Sequence, residues 1–238
     1  MTTKEEQDCF EIKSDHDEQV EQEVPSFTQI KGLKFRKRLD PATTTKRDLY
    51  RIERKTKYTI KGKRIYFQIY LGDNVLFSTK MKGKRPDDPL PIAKGPEMHY
   101  SASEFAGFLH PGNGHTLFSL RAQAAYGTEL LSVLFESVAN AKLPKKIRVT
   151  FFLKDSLIPT KLVSADPSFN EDGYYELNFH NKQVIPSIKN CILINEDNNC
   201  EYIMIRKVSD DVVEADAVTI VSALSVFAIG LALFQSPF

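Results

Sequence analysis

The sequence predicts a mainly β protein in which an antiparallel sheet closes into a barrel around one apolar C-terminal helix. About ten short runs rich in β-branched and aromatic residues are separated by turn residues, and the last long run carries no charge. A long antiparallel sheet tends to curl and close because closure removes its unpaired edges. A closed barrel has an interior, and the uncharged run has a suitable length to fill it. With 238 residues and 42% hydrophobic content, the chain can bury one sizeable core.

The strands are predicted from short apolar and aromatic runs. Residues 49–55, 64–71 and 75–82 form the first three, with hairpin turns at Lys61-Gly62-Lys63 and Gly72-Asp73-Asn74. Further strands are predicted at residues 116–120, 130–138, 147–153, 174–179, 187–194, 202–208 and 211–215.

The uncharged run covers residues 217–234. As one helix, its 18 residues would span about 27 Å, which is near the hydrocarbon thickness of a bilayer. Length alone leaves two interpretations open: a tail anchor, or a helix enclosed by its own protein. The residues before the run are acidic and small residues such as Gly230 recur along it, which favours close contact with surrounding strands.

The N-terminal quarter of the chain has strongly uneven charge. Residues 1–25 carry nine acidic residues against Lys4 and Lys13, and residues 31–64 carry fourteen Lys or Arg against Asp40, Asp48 and Glu53. We predict that residues 1–47 are disordered, acidic at first and then a basic linker, and that residues 48–238 form the folded domain. The basic block predicts an anionic partner, either phosphate-bearing lipid or nucleic acid.

The sequence gives no indication of an enzyme, a cofactor or a metal site. The five histidines have no metal-ligand spacing with carboxylates or cysteines. Cys191 and Cys200 are in or beside predicted strands, which favours buried thiols over nucleophiles, and His180 is expected to have a hydrogen-bonded structural role. The odd cysteine count and the acidic N-terminus without an apolar signal region predict a reducing intracellular compartment.

Several motifs in order resemble the C-terminal domain of tubby-like proteins. The most specific are LNFH at residues 177–180, SIKN at 187–190 and FAI at 227–229, and the resemblance extends over about residues 49–238. It implies a closed barrel of twelve antiparallel strands around a central hydrophobic helix. The chain departs from the family pattern after LNFH, where Asn181 and Lys182 replace the usual glycine and arginine, and at its end, which reads QSPF.

The resemblance also implies a site for phosphoinositides with a 4,5-bisphosphate head group. The matching basic strand and loop contain Lys80, Lys82, Lys84 and Arg85, and the first three alternate so that one face of an extended strand presents them together. Lysine and arginine both suit ring phosphates. His110 falls where the family has an arginine, so its contact is expected to be weaker and pH-dependent. Possible additional basic contacts come from Arg51, Arg54 and Lys55.

The leading hypothesis is a monomeric peripheral adaptor on the cytoplasmic face of the plasma membrane. It would bind phosphoinositide head groups while its N-terminal region engages unidentified protein partners. One alternative is a nuclear, nucleic-acid-binding transcriptional regulator that uses the basic block, in which Phe35, Tyr50 and Tyr58 interleave with the cations. The second alternative is the tail-anchored membrane protein.

Overall fold

The computed structural model describes residues 46–60, 62–82, 87–96, 105–136, 145–152, 159–169, 171, 173 and 175–236. The region predicted to be disordered, residues 1–47, lies outside these ranges except for Lys46 and Arg47, and Arg47 begins the first strand.

Fourteen strands are present in the described part of the chain, and twelve of them form one closed barrel. Their order around the barrel is β1-β14-β13-β12-β9-β8-β7-β6-β5-β4-β3-β2, every neighbouring pair is antiparallel, and β10 and β11 form a separate two-stranded sheet. This confirms the predicted barrel. The strands are β1 (Arg47–Thr59), β2 (Gly62–Leu71), β3 (Asn74–Lys82), β4 (Leu90–Lys94), β5 (Phe105–Pro111), β6 (Leu117–Ala122), β7 (Glu129–Glu136), β8 (Lys146–Phe151), β9 (Thr160–Ser164), β10 (Ser168–Phe169), β11 (Tyr175–Glu176), β12 (Cys191–Asn195), β13 (Glu201–Lys207) and β14 (Val212–Val218).

The barrel interior is filled by alternate side chains from its strands and by one helix, α1 (Ala223–Gln235). Successive strand residues point to opposite faces, so that Ile52 is 0% exposed while its neighbours Arg51 and Glu53 reach solvent. Every helix residue from Leu224 to Leu233 is buried. The helix contacts strands on several sides of the barrel, namely β1, β2, β3, β5, β6, β7 and β14. The predicted central helix is therefore confirmed.

The uncharged run does not form one helix, so the prediction of a helix over residues 217–234 is wrong for residues 217–222. β14 continues to Val218, and the helix begins only after Ser222. The Ser222 hydroxyl accepts a hydrogen bond from the backbone N–H of Ser225 at 3.1 Å, which caps the first turn. This division removes the single long helix on which the tail-anchor alternative depended. Among the described residues, we find no helix with the length and apolar character needed to cross a membrane.

Two glycines stand where a side chain would not fit. A Cβ on Gly230 of α1 would lie 2.3 Å from Ile52 Cδ1, and a Cβ on Gly107 of β5 would lie 2.8 Å from the backbone oxygen of Arg121. A side chain at Gly230 would push the helix and the barrel wall apart, whereas one at Gly107 would clash with the backbone of the neighbouring strand β6.

An outer segment, residues 177–185, lies on the outward face of β12, β13 and β14. Phe179 packs against Ile192 and Met204, which alternate with the inward residues Leu193 and Ile203. The strand predicted over residues 174–179 is therefore wrong except at β11, and the strand predicted over residues 187–194 begins only at Cys191.

Asn190 of the SIKN motif explains why this segment stays in place. Its side chain donates to the carbonyl of Ile185 at 2.9 Å and accepts from the N–H of Lys207 at 2.7 Å. Asn190 is only 7% exposed, so its polar groups are satisfied by this bridge between the outer segment and β13.

Candidate functional site

The candidate site is on the outward face of β1, β2 and β3, where strand register sets the side chains in rows. Lys55, Tyr66 and Lys80 pair across the three strands, and Lys57, Arg64 and Lys82 form the next row. Residues two apart on a strand share a face, so both rows face outward, opposite to the buried Phe67. We name Lys55, Lys57, Arg64, Lys80 and Lys82 the basic patch.

Tyr66 lies at the centre of the basic patch. Lys57 Nζ lies 5.4 Å from its ring centroid and Lys80 Nζ lies 5.6 Å from it. Cations at this distance from an aromatic face are attracted by the ring quadrupole. The tyrosine therefore brings two lysine side chains near each other.

Glu53 is the described acidic residue whose contacts with the basic patch are seen. Glu53, one row away, accepts from Lys55 at 2.9 Å and from Arg51 at 3.1 Å. The hydrogen bond to Glu53 raises the pKa of Lys55 above its ordinary value and keeps its ammonium charged. Within the described ranges, Lys57, Arg64 and Lys82 form no ion pair. These three cations therefore add positive charge that no described carboxylate neutralises.

Of the predicted additional basic residues, only Lys55 belongs to the row of Lys80. Arg51 lies two rows away beside Tyr70, with its guanidinium carbon 4.6 Å from that ring centroid. Arg54 lies on the opposite, inward side of β1, where it donates to Asp211 at 2.8 Å and faces the Phe234 ring at 5.4 Å. Arg51 and Arg54 are thus held by other partners.

The predicted lysine alternation is seen for Lys80 and Lys82, and the predicted residues Lys84 and Arg85 lie outside the described residues. The register also brings in Lys57, Arg64 and Tyr66, which were not among the predicted site residues. The β1–β2 hairpin in the sequence could have indicated these residues. Once its turn is fixed, the pairing of Thr59 with Gly62 places Lys57 opposite Arg64. The predicted first strand ended at residue 55, before Lys57.

His110 lies on the outward face of β5, two strands from β3. Thr79, Ile92 and Gly107 share a row across β3, β4 and β5, and both Lys82 and His110 lie three residues further along in the same direction. At about 4.8 Å per strand, their backbones are about 10 Å apart where that spacing is kept. His110 is therefore on the same wall of the barrel as the basic patch.

The chemistry of His110 differs from that of an arginine. Burial, together with the nearby Arg121 guanidinium, lowers the pKa of His110 below its ordinary value, so the ring is neutral at pH 7. Its Nε2 is shielded from solvent and has no hydrogen-bond partner among the described residues. His110 also lines a pocket of about 300 Å³ with Ser119, Arg121 and Tyr126 on the side of β6. The positive charge of the site therefore comes from β1, β2 and β3.

The groups considered for catalysis are Cys191, Cys200 and His180, and their contacts are with the fold. Burial raises the pKa of the Cys191 thiol to about 12, which makes it a poor nucleophile, whereas Cys200 is half-buried. His180 Nε2, within the outer segment, lies 3.3 Å from Oε2 of Glu201 on β13. In the part of the chain that the structure describes, no three His, Cys, Asp or Glu side chains group in a way that could hold a metal ion.

Comparison with known proteins identifies the family. The model of the Tub family matches residues 114–236, which is slightly more than half of the chain. The matched region runs from the turn before β6 to the end of α1 and includes the LNFH, SIKN and FAI motifs, but it does not include the strands that carry the basic patch. No curated protein matches the chain. From the family match, with which the closed barrel and its buried C-terminal helix agree, the chain belongs to the Tub family.

Proposed function

We propose that the chain is a peripheral membrane adaptor that binds phosphoinositide head groups, with a 4,5-bisphosphate as the preferred ligand, through the basic patch. The observation that carries this proposal is the pair of adjacent rows containing Lys55, Lys57, Arg64, Lys80 and Lys82 around Tyr66. The ammonium groups supply point charges for ring phosphates, and Arg64 supplies a planar fork that can bind one phosphate with two hydrogen bonds.

The arrangement suits a ligand with several phosphates better than a single anion. Neighbouring rows on one face are about 7 Å apart along a strand, and neighbouring strands are about 4.8 Å apart. Cations at these spacings can contact separate phosphates of one head group. Residues 83–86 lie outside the described ranges, and Lys84 and Arg85 enter the proposal only through the family resemblance.

The test is sedimentation of the protein with liposomes of phosphatidylcholine and phosphatidylserine, with and without phosphatidylinositol 4,5-bisphosphate. A lysine near an anionic surface contributes about 1 kcal/mol, so the double variant K80A/K82A is expected to bind the bisphosphate liposomes about thirtyfold more weakly. Equal binding of the native protein to both liposome types would contradict the proposal.

The matched control is K146A/K161A, which removes the same charge from another wall. Lys146 and Lys161 are exposed on β8 and β9, and β9 lies six strands from β3 in either direction around the barrel. This variant is expected to bind like the native protein. A similar loss in both double variants would mean that net charge, and not the basic patch, governs binding.

Nucleic acid is the second candidate ligand for the same phosphate-binding surface. The aromatic residues expected to assist it do not form one stacking surface, because Tyr50 is 4% exposed inside the barrel and Phe35 lies outside the described residues. Tyr58 remains available, with 81% exposure. Titration of duplex DNA at several salt concentrations tests this candidate: a slope near zero in log affinity against log salt would mean that no phosphates are neutralised.

The remaining parts of the proposal concern place and partners. A protein that binds this head group works at the cytoplasmic face of the plasma membrane, and the acidic residues 1–25 offer a charged segment for protein partners. Cell fractionation of the native protein and of K80A/K82A checks the location, since only the native protein is expected in the membrane fraction.

A further inference from the structure

We propose that the tip of the β1–β2 hairpin, formed by Tyr58 and Ile60, inserts into the interfacial layer of the bilayer whose head groups the basic patch binds. This inference rests on the proposed function and adds a second, apolar contact to it. The partner that the tip contacts in this proposal is the lipid bilayer itself.

The hairpin extends beyond the point where β1 leaves its other neighbour. Pairing between β1 and β14 ends at Glu53 and Val212, with one further hydrogen bond from Arg54 N–H to the Asp211 carbonyl at 2.8 Å. Pairing between β1 and β2 continues to Thr59 and Gly62. At about 3.3 Å per residue, the ribbon continues for about 17 Å past Arg54.

The end of this ribbon is apolar and open to solvent. Ile60 is 108% exposed and Tyr58 is 81% exposed, the former being fully accessible in the turn. The turn has a defined geometry, because the Thr59 hydroxyl donates to the Gly62 carbonyl at 2.9 Å and Gly62 has φ of 103°. A structured turn that exposes an isoleucine and a tyrosine together presents apolar surface to a partner, and the charges around the turn indicate which partner.

The charges around the tip favour a lipid surface. From Arg54 to Tyr66 the sequence contains six Lys or Arg and no acidic residue. Lys63 pairs with Tyr58, and Lys57 pairs with Arg64 in the next row, so cations meet the head groups at the depth where the apolar tip ends. An apolar end next to long basic side chains, whose stems reach along apolar surface while their charges stay in the head-group layer, is the pattern of interfacial membrane binding.

The lack of tryptophan in this chain permits a direct test. The variant I60W places a single tryptophan at the tip, and F169W places one at an exposed site away from the basic patch, since Phe169 of β10 is 64% exposed. On liposomes of phosphatidylcholine and phosphatidylserine containing phosphatidylinositol 4,5-bisphosphate, we expect I60W emission to shift to the blue and to be quenched by lipids brominated on their acyl chains. F169W is expected to show neither change.

A binding measurement separates the tip from the basic patch. I60S is expected to bind the same liposomes about tenfold more weakly, because burial of one such side chain is worth about a factor of ten or more. Its affinity for soluble inositol 1,4,5-trisphosphate, measured by calorimetry, is expected to equal that of the native protein. K80A/K82A is expected to lose binding both to the liposomes and to the soluble head group.

The outcomes distinguish the two proposals. If I60W binds the liposomes without a blue shift or quenching, or if I60S binds them as the native protein does, tip insertion is wrong and the proposed function stands. If neither liposomes nor the soluble head group bind the native protein, both proposals are overturned. If I60S weakens binding while I60W shows no quenching, the tip contacts something other than the acyl region, and insertion is again wrong.

Discussion

Asp216 illustrates how single residues hold the outer segment on the barrel. It lies on the outward face of β14, 7% exposed, where it accepts from Arg47 Nε at 2.5 Å and from Lys182 of the outer segment. Arg47 also pairs with Glu201 at 3.1 Å. One carboxylate thus joins the start of β1, the outer segment and β14.

The departures from the family pattern after LNFH are compatible with this arrangement. Asn181 has φ of 61°, a left-handed conformation that glycine adopts most easily and that asparagine tolerates better than most residues. Lys182 keeps a cation where the family has arginine, and it reaches Asp216. Both residues therefore suit the positions that they occupy in this chain.

We predict that D216N lowers the free energy of unfolding by about 2 kcal/mol at neutral pH, the usual value for hydrogen bonds to a charged group. Burial alone would raise the pKa of Asp216, but hydrogen bonds from Lys182 and Arg47 hold it below its ordinary value. The stabilisation is then complete above the unfolded-state pKa of about 3.9 and is lost as the pH falls through the lower folded-state value. Urea unfolding of both proteins from pH 7 to pH 3 measures this.

The comparison variant for Asp216 is D211N. Asp211 forms a 2.8 Å ion pair with Arg54, but its side chain is 58% exposed. Water screens such a pair, so D211N is expected to change stability by less than about 1 kcal/mol. Equal effects of the two substitutions at pH 7 would show that burial of Asp216 has no energetic consequence.

Among the elements, α1 is the one whose packing is most sensitive to size. Ala is a better helix former than Gly by about 1 kcal/mol, yet we predict that G230A destabilises the protein by about 2 kcal/mol. The added methyl would lie 2.3 Å from Ile52 Cδ1, and Ile52 is 0% exposed with little room to move. Thermal or denaturant unfolding of G230A and the native protein measures whether the substitution raises or lowers stability.

A second substitution tests the cause of this effect. I52V removes the Cδ1 atom that the new methyl meets, and alone it is expected to cost about 1 kcal/mol. The double variant I52V/G230A is expected to be more stable than the sum of the two single changes predicts. Strict additivity would mean that the clash with Ile52 is not the source of the destabilisation.

The sequence predicted those elements whose side-chain pattern is distinctive. β1, β2 and β3 alternate clearly, so their existence and their hairpin turns were predicted, although β1 is longer than expected. β4 and β5 were missed because Pro91 interrupts one and Gly107 the other. β9 was missed because it is a short strand that follows Pro159. Gly107 is needed because the backbone oxygen of Arg121 on β6 approaches it closely, which no local pattern reveals.

The end of β14 and the start of α1 could not be separated by apolar periodicity. Both face the same core, so Ala217, Val218 and most of the helix residues are apolar. The available signal was Ser222, a residue type that favours the N-cap position of a helix.

The candidate site was predictable along one strand but not across strands. Alternation placed Lys80 and Lys82 on one face, whereas the contribution of Lys57 and Arg64 depends on the β1–β2 register. The inward direction of Arg54 follows from the register with Phe67, and the proximity of Asp211 follows from barrel closure. Contacts between residues so distant in sequence cannot be read from local pattern.

At the scale of the whole molecule, closure depends on the first strand meeting the last. β1 pairs with β2 on one side and with β14 on the other, and Ile52 of β1 fills the space beside Gly230 of the helix. β1 covers the edges of β2 and β14 and contributes part of the core. Its loss would therefore expose those two edges and one side of α1. The stability of the barrel is therefore shared between residues more than 150 positions apart, as the Arg47–Asp216 bridge shows with a separation of 169.

We predict that a chain beginning at residue 46 unfolds in a single cooperative transition, whereas a chain beginning at residue 60 does not. The first chain retains every barrel strand and the helix. The second chain lacks β1 and therefore also lacks the pairing between β1 and β14. Urea unfolding followed by circular dichroism and by tyrosine fluorescence is expected to give coincident curves for the longer chain. For the shorter chain we expect a broad change, or binding of a hydrophobic dye to the uncovered helix. A sharp, coincident transition in the chain beginning at residue 60 would mean that the barrel can close through another pair of strands, and that β1 serves the candidate site and not the fold.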